Sequence, residues 1–374
     1  MKVLYLRSNP VNPDSRVEKE VNFLLKEGYN VDILALNREE THRVRVEKKF
    51  FQNGCVNVFL LGIQSKYGGG RENILALLKF QFSIAFHLFK YKYDVVHAAD
   101  LDTSIFPTLL KKVFSFDTVY DIFDFYADSH NFSGIRYSIV KSIEHFIINK
   151  SDATIICSEK RKNQIAGSKP KKLYVVHNTP ESLIEESYLS RNNSKMKICY
   201  VGVLGNGRMI SELMDIVGRN PKEFELHIGG FGHLYDEVHK KADFHENIFF
   251  YGKMSYEDTL ALESSCDILT ALYDPDIKNH YYAAPNKFYE GLMLGKPLIM
   301  IKNTGMDYIV SDYHVGKVIE NMCENELEDA LKSLMLNKDQ WPEMARKMKL
   351  LYEQEFSWSQ MEVRLRKLYK ELKI

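Results

Sequence analysis

The chain has 374 residues, 45% of them hydrophobic and 27% charged, with acidic and basic residues in equal number. Such a length is too great for one small core and suits two domains, and the composition excludes a disordered chain or a fibrous repeat. The charge is unevenly spread: residues 1–195 carry 28 Lys and Arg against 22 Asp and Glu, leaving 22 against 28 for the rest. Either a basic first half faces an anionic surface or acceptor, or each half has an ordinary solvated exterior.

Cys55, Cys157, Cys199, Cys266 and Cys323 are odd in number, widely scattered and mostly inside apolar runs. They read as small core residues in a reducing compartment, not as a disulfide framework. Lys79, Gln81 and His87 interrupt the best candidate for a membrane span, and the opening MKVLYL is too short for a signal peptide. A cytoplasmic protein is the expectation.

From the first residue, short runs rich in Val, Ile, Leu and Tyr alternate with helix-length amphipathic segments: KVLYL, NVDILAL, VNVFLLG, DVVHA, DTVYDI, DATIIC and KLYVVH. This alternation predicts strand–helix–strand crossovers and a parallel sheet buried on both faces. The polar stretch 179–196 interrupts it, and the rhythm restarts with KICYVG, FELHIGG, NIFFYG, DILTAL, PLIMI and VGKVI. The fold class expected is therefore α/β, with two Rossmann-like doubly wound parallel-sheet domains in series, residues 1–185 and 195–356. In the closing segment 357–374, Met361, Leu365, Leu368 and Leu372 have helical spacing, and this helix is expected to pack back on the first domain.

Within the first half, KYGGGR (66–71) predicts a loop, because three glycines lose too much entropy inside a helix or strand. The segment after it, ILALLKFQFSIAFHLFKYKY, is a helix candidate carrying Phe80, Phe82, Phe86 and Phe89 among basic residues. Two readings stand: a helix that rests on an anionic bilayer or grips a lipid-linked acceptor, and a crossover helix buried against its sheet.

A nucleoside diphosphate needs backbone amides from a tight turn and one or two fixed cations. The strand KICYV runs into Gly202, Gly205, Gly207 and Arg208, and a second strand ends in Gly229, Gly230 and Gly232. Glycine turns alone are weak evidence, but Arg208 lies at a strand's carboxyl end, where open α/β sheets bind ligands. In PNKFYEGLMLGKP (285–297), Lys287 and Glu290 are three apart and share a helix face. Spacing alone fits equally a clamp for phosphate and ribose or an internal helical ion pair.

These stretches together resemble a retaining glycosyltransferase of the GT-B class, sequence family four, also called group 1, along the whole chain. The resemblance is carried by KVLYLRSNPVNPDSRVEKEVNFLLKEGYNVDIL, DVVHAADLDT, YVGVLGNGR, PNKFYEGLMLGKPLI and FSWSQ, in the expected order. It implies the two domains facing across a cleft, with Glu290 on the donor ribose and Arg208 on the diphosphate. Asn286 and Lys287 would sit beside the diphosphate and the transferred sugar, and Gly205, Gly207 and Gly230 would line the donor. Three positions depart from the family: Tyr282 replaces the first of two glutamates eight apart, Val203 an arginine, and Ala99 a histidine near the reacting carbon.

With Ala99 in that place, Asp100 is the candidate catalytic group beside Arg208 and Lys287, although it serves equally as an N-cap for the following helix. On the acceptor side the candidates are Asp100, His97, which reads more readily as structural, and Arg16, poised for an acceptor phosphate or carboxylate or else a plain surface charge. No metal is expected: Asp100 and Asp102 sit away from the cations, and Asp274-Pro275-Asp276 reads as a turn. No cofactor and no nucleic-acid partner are expected. The implied activity is metal-independent transfer of a hexosyl unit, with retention, from a UDP-sugar to a glycan or lipid-linked acceptor in cell-surface polysaccharide synthesis. That work implies peripheral contact with the inner face of an anionic membrane. The alternatives are a nucleotide-sugar epimerase, for which paired acid and base groups are wanting, and a catalytically silent sugar-nucleotide-binding subunit, which the losses at Tyr282 and Ala99 would suit.

Overall fold

In a computed structural model of the chain the described residues are 1–65, 73–130, 132–181 and 195–372. The glycine-rich 66–71 segment and most of the 179–196 joint lie outside them. Two compact units result, Met1–Val176 with Glu362–Ile374, and His177–Met361.

The first unit runs β1 (Lys2–Arg7), α1 (Ser15–Lys26), β2 (Asn30–Asn37), β3 (His42–Phe51), β4 (Gly54–Gly62), α2 (Ile74–Lys90), β5 (Val95–Ala99), α3 (Leu101–Phe114), β6 (Asp117–Ile122), α4 (Tyr126–Ser129), α5 (Gly134–Lys150), β7 (Ala153–Ile156), α6 (Arg161–Gln164) and β8 (Leu173–Val175). The sheet order is β3-β4-β2-β1-β5-β6-β7-β8, parallel throughout except where β3 runs antiparallel to β4. Every apolar run expected from sequence in this half seats on a strand, but β3 was not foreseen. Its sequence, HRVRVEKKFF, alternates charge with Val and Phe, as an edge strand with a solvated face does, so it lacks the continuous apolar signal of the central strands.

Alternation along the central strands sorts the chemistry. Leu4, Leu6, Val96 and Ala98 join Phe80, Ile84 and Leu88 of α2 in one apolar cluster. The residues between them, Tyr5 and His97, point to the other face, where Tyr5 meets Glu20 of α1.

The second unit runs β9 (Met196–Val203), α7 (Ile210–Arg219), β10 (Phe224–Phe231), α8 (Tyr235–Phe244), β11 (Ile248–Phe250), α9 (Tyr256–Ser265), β12 (Ile268–Ala271), α10 (Lys278–Tyr281), α11 (Asn286–Leu294), β13 (Leu298–Ile301), α12 (Asp307–Asp312), β14 (Gly316–Ile319), α13 (Glu324–Leu336) and α14 (Trp341–Leu351). Its six strands are all parallel, in the order β11-β10-β9-β12-β13-β14. Both sheets are doubly wound. The order reverses between β1 and β5 in the first and between β9 and β12 in the second, and at each such switch point the crossovers part and leave the strand ends open.

The last helix, α15 (Trp358–Glu371), belongs to the first unit from Glu362 onward. Leu365, Leu368 and Tyr369 are buried, and the Tyr369 hydroxyl lies 2.7 Å from His97 Nδ1. Tyr369→Phe keeps the ring and strands that nitrogen without a partner in a buried site. A loss of about 1–3 kcal/mol of unfolding free energy is expected by urea denaturation; a change within about 0.5 kcal/mol would show that the contact contributes nothing.

Candidate active site

At the switch point of the second sheet, β9 ends in Gly202 and Val203, and the loop Leu204–Met209 leads into α7. Arg208 lays its guanidinium on the Tyr273 ring, 4.4 Å from the centroid, just past the end of β12. Lys287 comes from the first turn of α11 and sets its ammonium 4.7 Å from the centroid of Tyr200. The start of α11 is fixed by Pro285, whose φ of −68° suits a helix entry, and its end by Gly295 in the left-handed region. Lys287 is only 7% exposed. Burial alone would depress its pKa, but the Tyr273 and Tyr200 hydroxyls and the Glu290 and Glu263 carboxylates hold it above the usual lysine range, so it stays charged. Among the described residues neither Arg208 nor Lys287 has a carboxylate within 4 Å.

Glycines make this arrangement fit. A Cβ on Gly202 would lie 2.8 Å from Lys287 Nζ, and one on Gly230, where φ is +146°, would lie 1.8 Å from the Gly202 carbonyl oxygen. Strand end and loop can therefore approach only as bare backbone. Gly207 adopts φ +71° and gives its carbonyl to the Asp274 amide at 2.9 Å, while Gly205 packs against His233. Asp274 accepts from the amide of Asp276 at 2.9 Å, the turn expected there. Asn286 is exposed at the head of α11 and accepts from the Asn178 side chain at 3.2 Å.

One turn along α11, Glu290 is buried. The Tyr256 hydroxyl donates to it, and it shares a hydrogen bond with Glu263 of α9. Burial, and then the neighbouring Glu290 carboxylate, push Glu263 well above the carboxylate range, so the two carboxyl groups share a proton. Neither Tyr256 nor Glu263 was singled out from sequence, since helix spacing does not reveal partners on another helix. Tyr282, at the end of α10, stacks edge-on with Tyr281.

The switch point of the first sheet holds a different set. Arg7, the last residue of β1, donates to Asp14 at 2.8 Å and to Asp100 at 2.5 Å, with its guanidinium 4.2 Å from the Phe123 centroid. Asp100 follows β5 and also accepts from the amides of Phe123 and Asp124 at 3.0 and 3.2 Å. It stands at the head of α3 but makes no capping hydrogen bond, so the N-cap reading fails. Its backbone has φ +69°, an uncommon conformation for a side chain to bear, held by these three bonds. Burial pushes the Asp100 carboxyl up to about 7, against the pull of Arg7.

Arg16 and His97 are both buried and already partnered. Arg16 is 4% exposed and spends its donors on Asp121 at 2.7 Å, Glu20 at 3.1 Å and the Val176 carbonyl at 3.2 Å. An acceptor anion would have to displace two buried carboxylates to reach it. His97 is enclosed between Tyr5 and Tyr369, 3.4 Å from Asp121. Folding thus gathers Glu20, His97 and Asp121 within 4.8 Å from α1, β5 and β6, a grouping that spacing in the sequence did not disclose, and Arg16 already neutralises it. Arg7 was overlooked, although the strand-end rule that picked out Arg208 applies to it equally.

Two family models match the chain: Glycosyltransferase Family 4 over residues 16–179 and Glycosyl transferases group 1 over residues 185–370. Among solved structures, sucrose-phosphate synthase from Thermosynechococcus elongatus superposes with a TM-score of 0.78 at 14% identity, over 99% of each chain. HepE from Anabaena, in complex with UDP, gives 0.73 at 14% identity over the whole of both chains, and its complex with UDP-glucose gives 0.71. At such identity the likeness is one of fold, and the chain shares the two-domain GT-B fold. No curated protein sequence matches.

The raised pKa of Asp100 has a consequence for stability. An acid whose folded pKa exceeds its unfolded value gives stability that is complete below the unfolded value and is lost as pH rises through about 7. Asp100→Asn should therefore flatten the fall in unfolding free energy between about pH 4 and 7, by up to about 1.4 kcal/mol per pH unit. Parallel slopes for the two proteins would show that Asp100 is already ionised.

Proposed function

Because the chain belongs to the group 1 glycosyltransferases, we propose that it transfers a hexosyl unit from a UDP-sugar to a glycan or lipid-linked acceptor, with retention and without a metal ion. The observation that supports this reading is the convergence of Arg208 and Lys287 on the Tyr200 and Tyr273 rings, free of carboxylate partners among the described residues. Two fixed cations at the open end of a parallel sheet suit a diphosphate, supplying the positive charge that a divalent ion supplies in other sites. Glu290, which accepts from the Tyr256 hydroxyl, suits the two ribose hydroxyls of a nucleoside.

In the reaction, an acceptor hydroxyl oxygen replaces the β-phosphate oxygen at the anomeric carbon, and its proton leaves with the diphosphate. Arg208 and Lys287 stabilise the charge that grows on the departing phosphate, and a fixed charge of this kind is worth several kcal/mol in the transition state. Asp100, strained and tied to Arg7, is the proposed polar group on the acceptor side. A role in cell-surface polysaccharide synthesis fits a lipid-linked acceptor.

Calorimetric titration with UDP, alongside transfer assays from UDP-hexoses, tests the proposal. Lys287→Ala and Arg208→Ala should each weaken UDP binding about 10- to 100-fold, the range of a charged hydrogen bond, and abolish transfer while the fold persists. Unaltered UDP affinity in both variants would overturn the donor site. UDP binding without transfer from any sugar nucleotide would instead favour the silent binding subunit.

A further inference from the structure

On one face of the first sheet, α2 packs against α3 and α3 against α5. Their inner sides fill the core: Phe80, Ile84 and Leu88 in α2, Leu101 in α3, Ile147 and Ile148 in α5. The outer sides are also apolar. In α2, Leu75, Leu78, Phe82, Phe86 and Phe89 recur at intervals of three, four, four and three residues, and the three phenylalanines are 63%, 72% and 72% exposed. In α3, Leu109 and Val113 are exposed, and Phe82 and Phe89 meet Phe106 and Phe114 edge-on, so that the two helices present one continuous surface. In α5, Ile135, Ile139, Ile143 and Phe146 form a third stripe, with Ile135 80% exposed, along a shallow groove of about 760 Å³.

The exposed charges that these three helices carry are of one sign. No residue of α2 is acidic, and the carboxylates of α3 and α5, Asp102 and Glu144, are both buried. Glu144 is occupied by the Tyr120 hydroxyl at 2.9 Å and by the amides of Tyr126 and Ala127. Lys79, Lys90, Lys112, Lys141 and Lys150 remain, none with a carboxylate within 4 Å among the described residues. Lys90, Lys141 and Lys150 lie over the rings of Tyr91, Tyr137 and Phe146, with their stems along apolar surface. Apolar side chains scattered singly need no explanation, but a contiguous patch ringed by cations marks an interaction site.

We infer that the outer layer formed by α2, α3 and α5 is a docking surface for an anionic lipid bilayer. Leu, Ile and Phe side chains would enter the boundary between headgroups and acyl chains, while lysines on long stems reach the lipid phosphates. Charge complementarity selects an anionic lipid, because a zwitterionic surface leaves the lysines unanswered. Among the described residues no helix is long and apolar enough to cross a membrane, so the contact is peripheral. The inference is independent of the donor chemistry, since none of these residues belongs to the second unit.

Cosedimentation of the full chain with phosphatidylglycerol-containing vesicles tests it, with pure phosphatidylcholine vesicles as the comparison. Binding is expected to the first and not to the second, and to fall with added salt as the Debye length shortens. The triple variant F82E/F86E/F89E and the variant K79E/K90E should each weaken it at least tenfold, with circular dichroism and UDP affinity unchanged. Phe244→Glu, at an equally exposed phenylalanine of the second unit, should bind as the unaltered protein does. The inference falls if anionic vesicles are not bound, if pure phosphatidylcholine is bound as well, or if F82E/F86E/F89E binds normally. It falls too if that variant instead splits a dimer in analytical ultracentrifugation, which would make the face a contact between copies of this chain.

Discussion

Two positive charges fixed near the same pair of aromatic rings, with no carboxylate within 4 Å of either among the described residues, are the constraint around which the second unit is arranged. Like charges repel, and at an effective dielectric constant of about 20 a pair some 4 Å apart interacts by roughly 4 kcal/mol. Aromatic faces offset part of this through cation–π attraction of about 0.5–2 kcal/mol each. The Glu290 and Glu263 carboxylates offset more of it at Lys287, and burial works the other way. Gly202 and Gly230 belong to the same constraint, because any side chain at either would push the Lys287 ammonium or the neighbouring strand away.

The first sheet has the same topology at its switch point and the opposite electrostatics. Arg7 is answered by Asp14 and Asp100, and Arg16 by Asp121 and Glu20. Breaking one partner of such a buried pair is costly, since it leaves a charge without its counter-ion. These pairs therefore hold geometry, whereas Arg208 and Lys287 of the second sheet lie against aromatic rings with no ion pair among the described residues. Fold alone does not make that distinction. Two sheets wound in one way differ in electrostatics through a few side chains near their strand ends.

The doubly wound architecture was legible because its strands are buried on both faces and read as uninterrupted apolar runs. The one strand not foreseen, β3, is an edge strand whose alternating charge mimics a loop in a one-dimensional reading. At the site, Arg208, Lys287 and Glu290 were legible by position, at a strand end and on one helix face. What pairs with what was not. Whether Asp100 caps a helix or meets Arg7, and whether Arg16 faces solvent or two carboxylates, depends on contacts 93 and 105 residues away in the chain. Both residues follow the same local rules whichever partner wins, so only packing decides. The aromatic helix α2 shows the limit in another way: the two readings open to it, a buried crossover helix and an exposed apolar face, describe its two sides.

The closing helix bears on the site through the sheet. Tyr369 holds His97, which lies three residues before Asp100 in the chain, and His97 in turn faces Asp121, whose backbone carbonyl accepts from the Asp100 amide at 2.9 Å. Asp100 has a backbone conformation that its own side chain disfavours, and such a residue persists only when its surroundings over-determine it. Here the surroundings come from four segments: Arg7 at the end of β1, the amides after β6, the β6 strand itself, and α15 by way of His97. Residues contributed from so far apart in the chain hold that geometry only in the assembled sheet. The Asp100 carboxyl is therefore placed by tertiary contacts and not by its own segment.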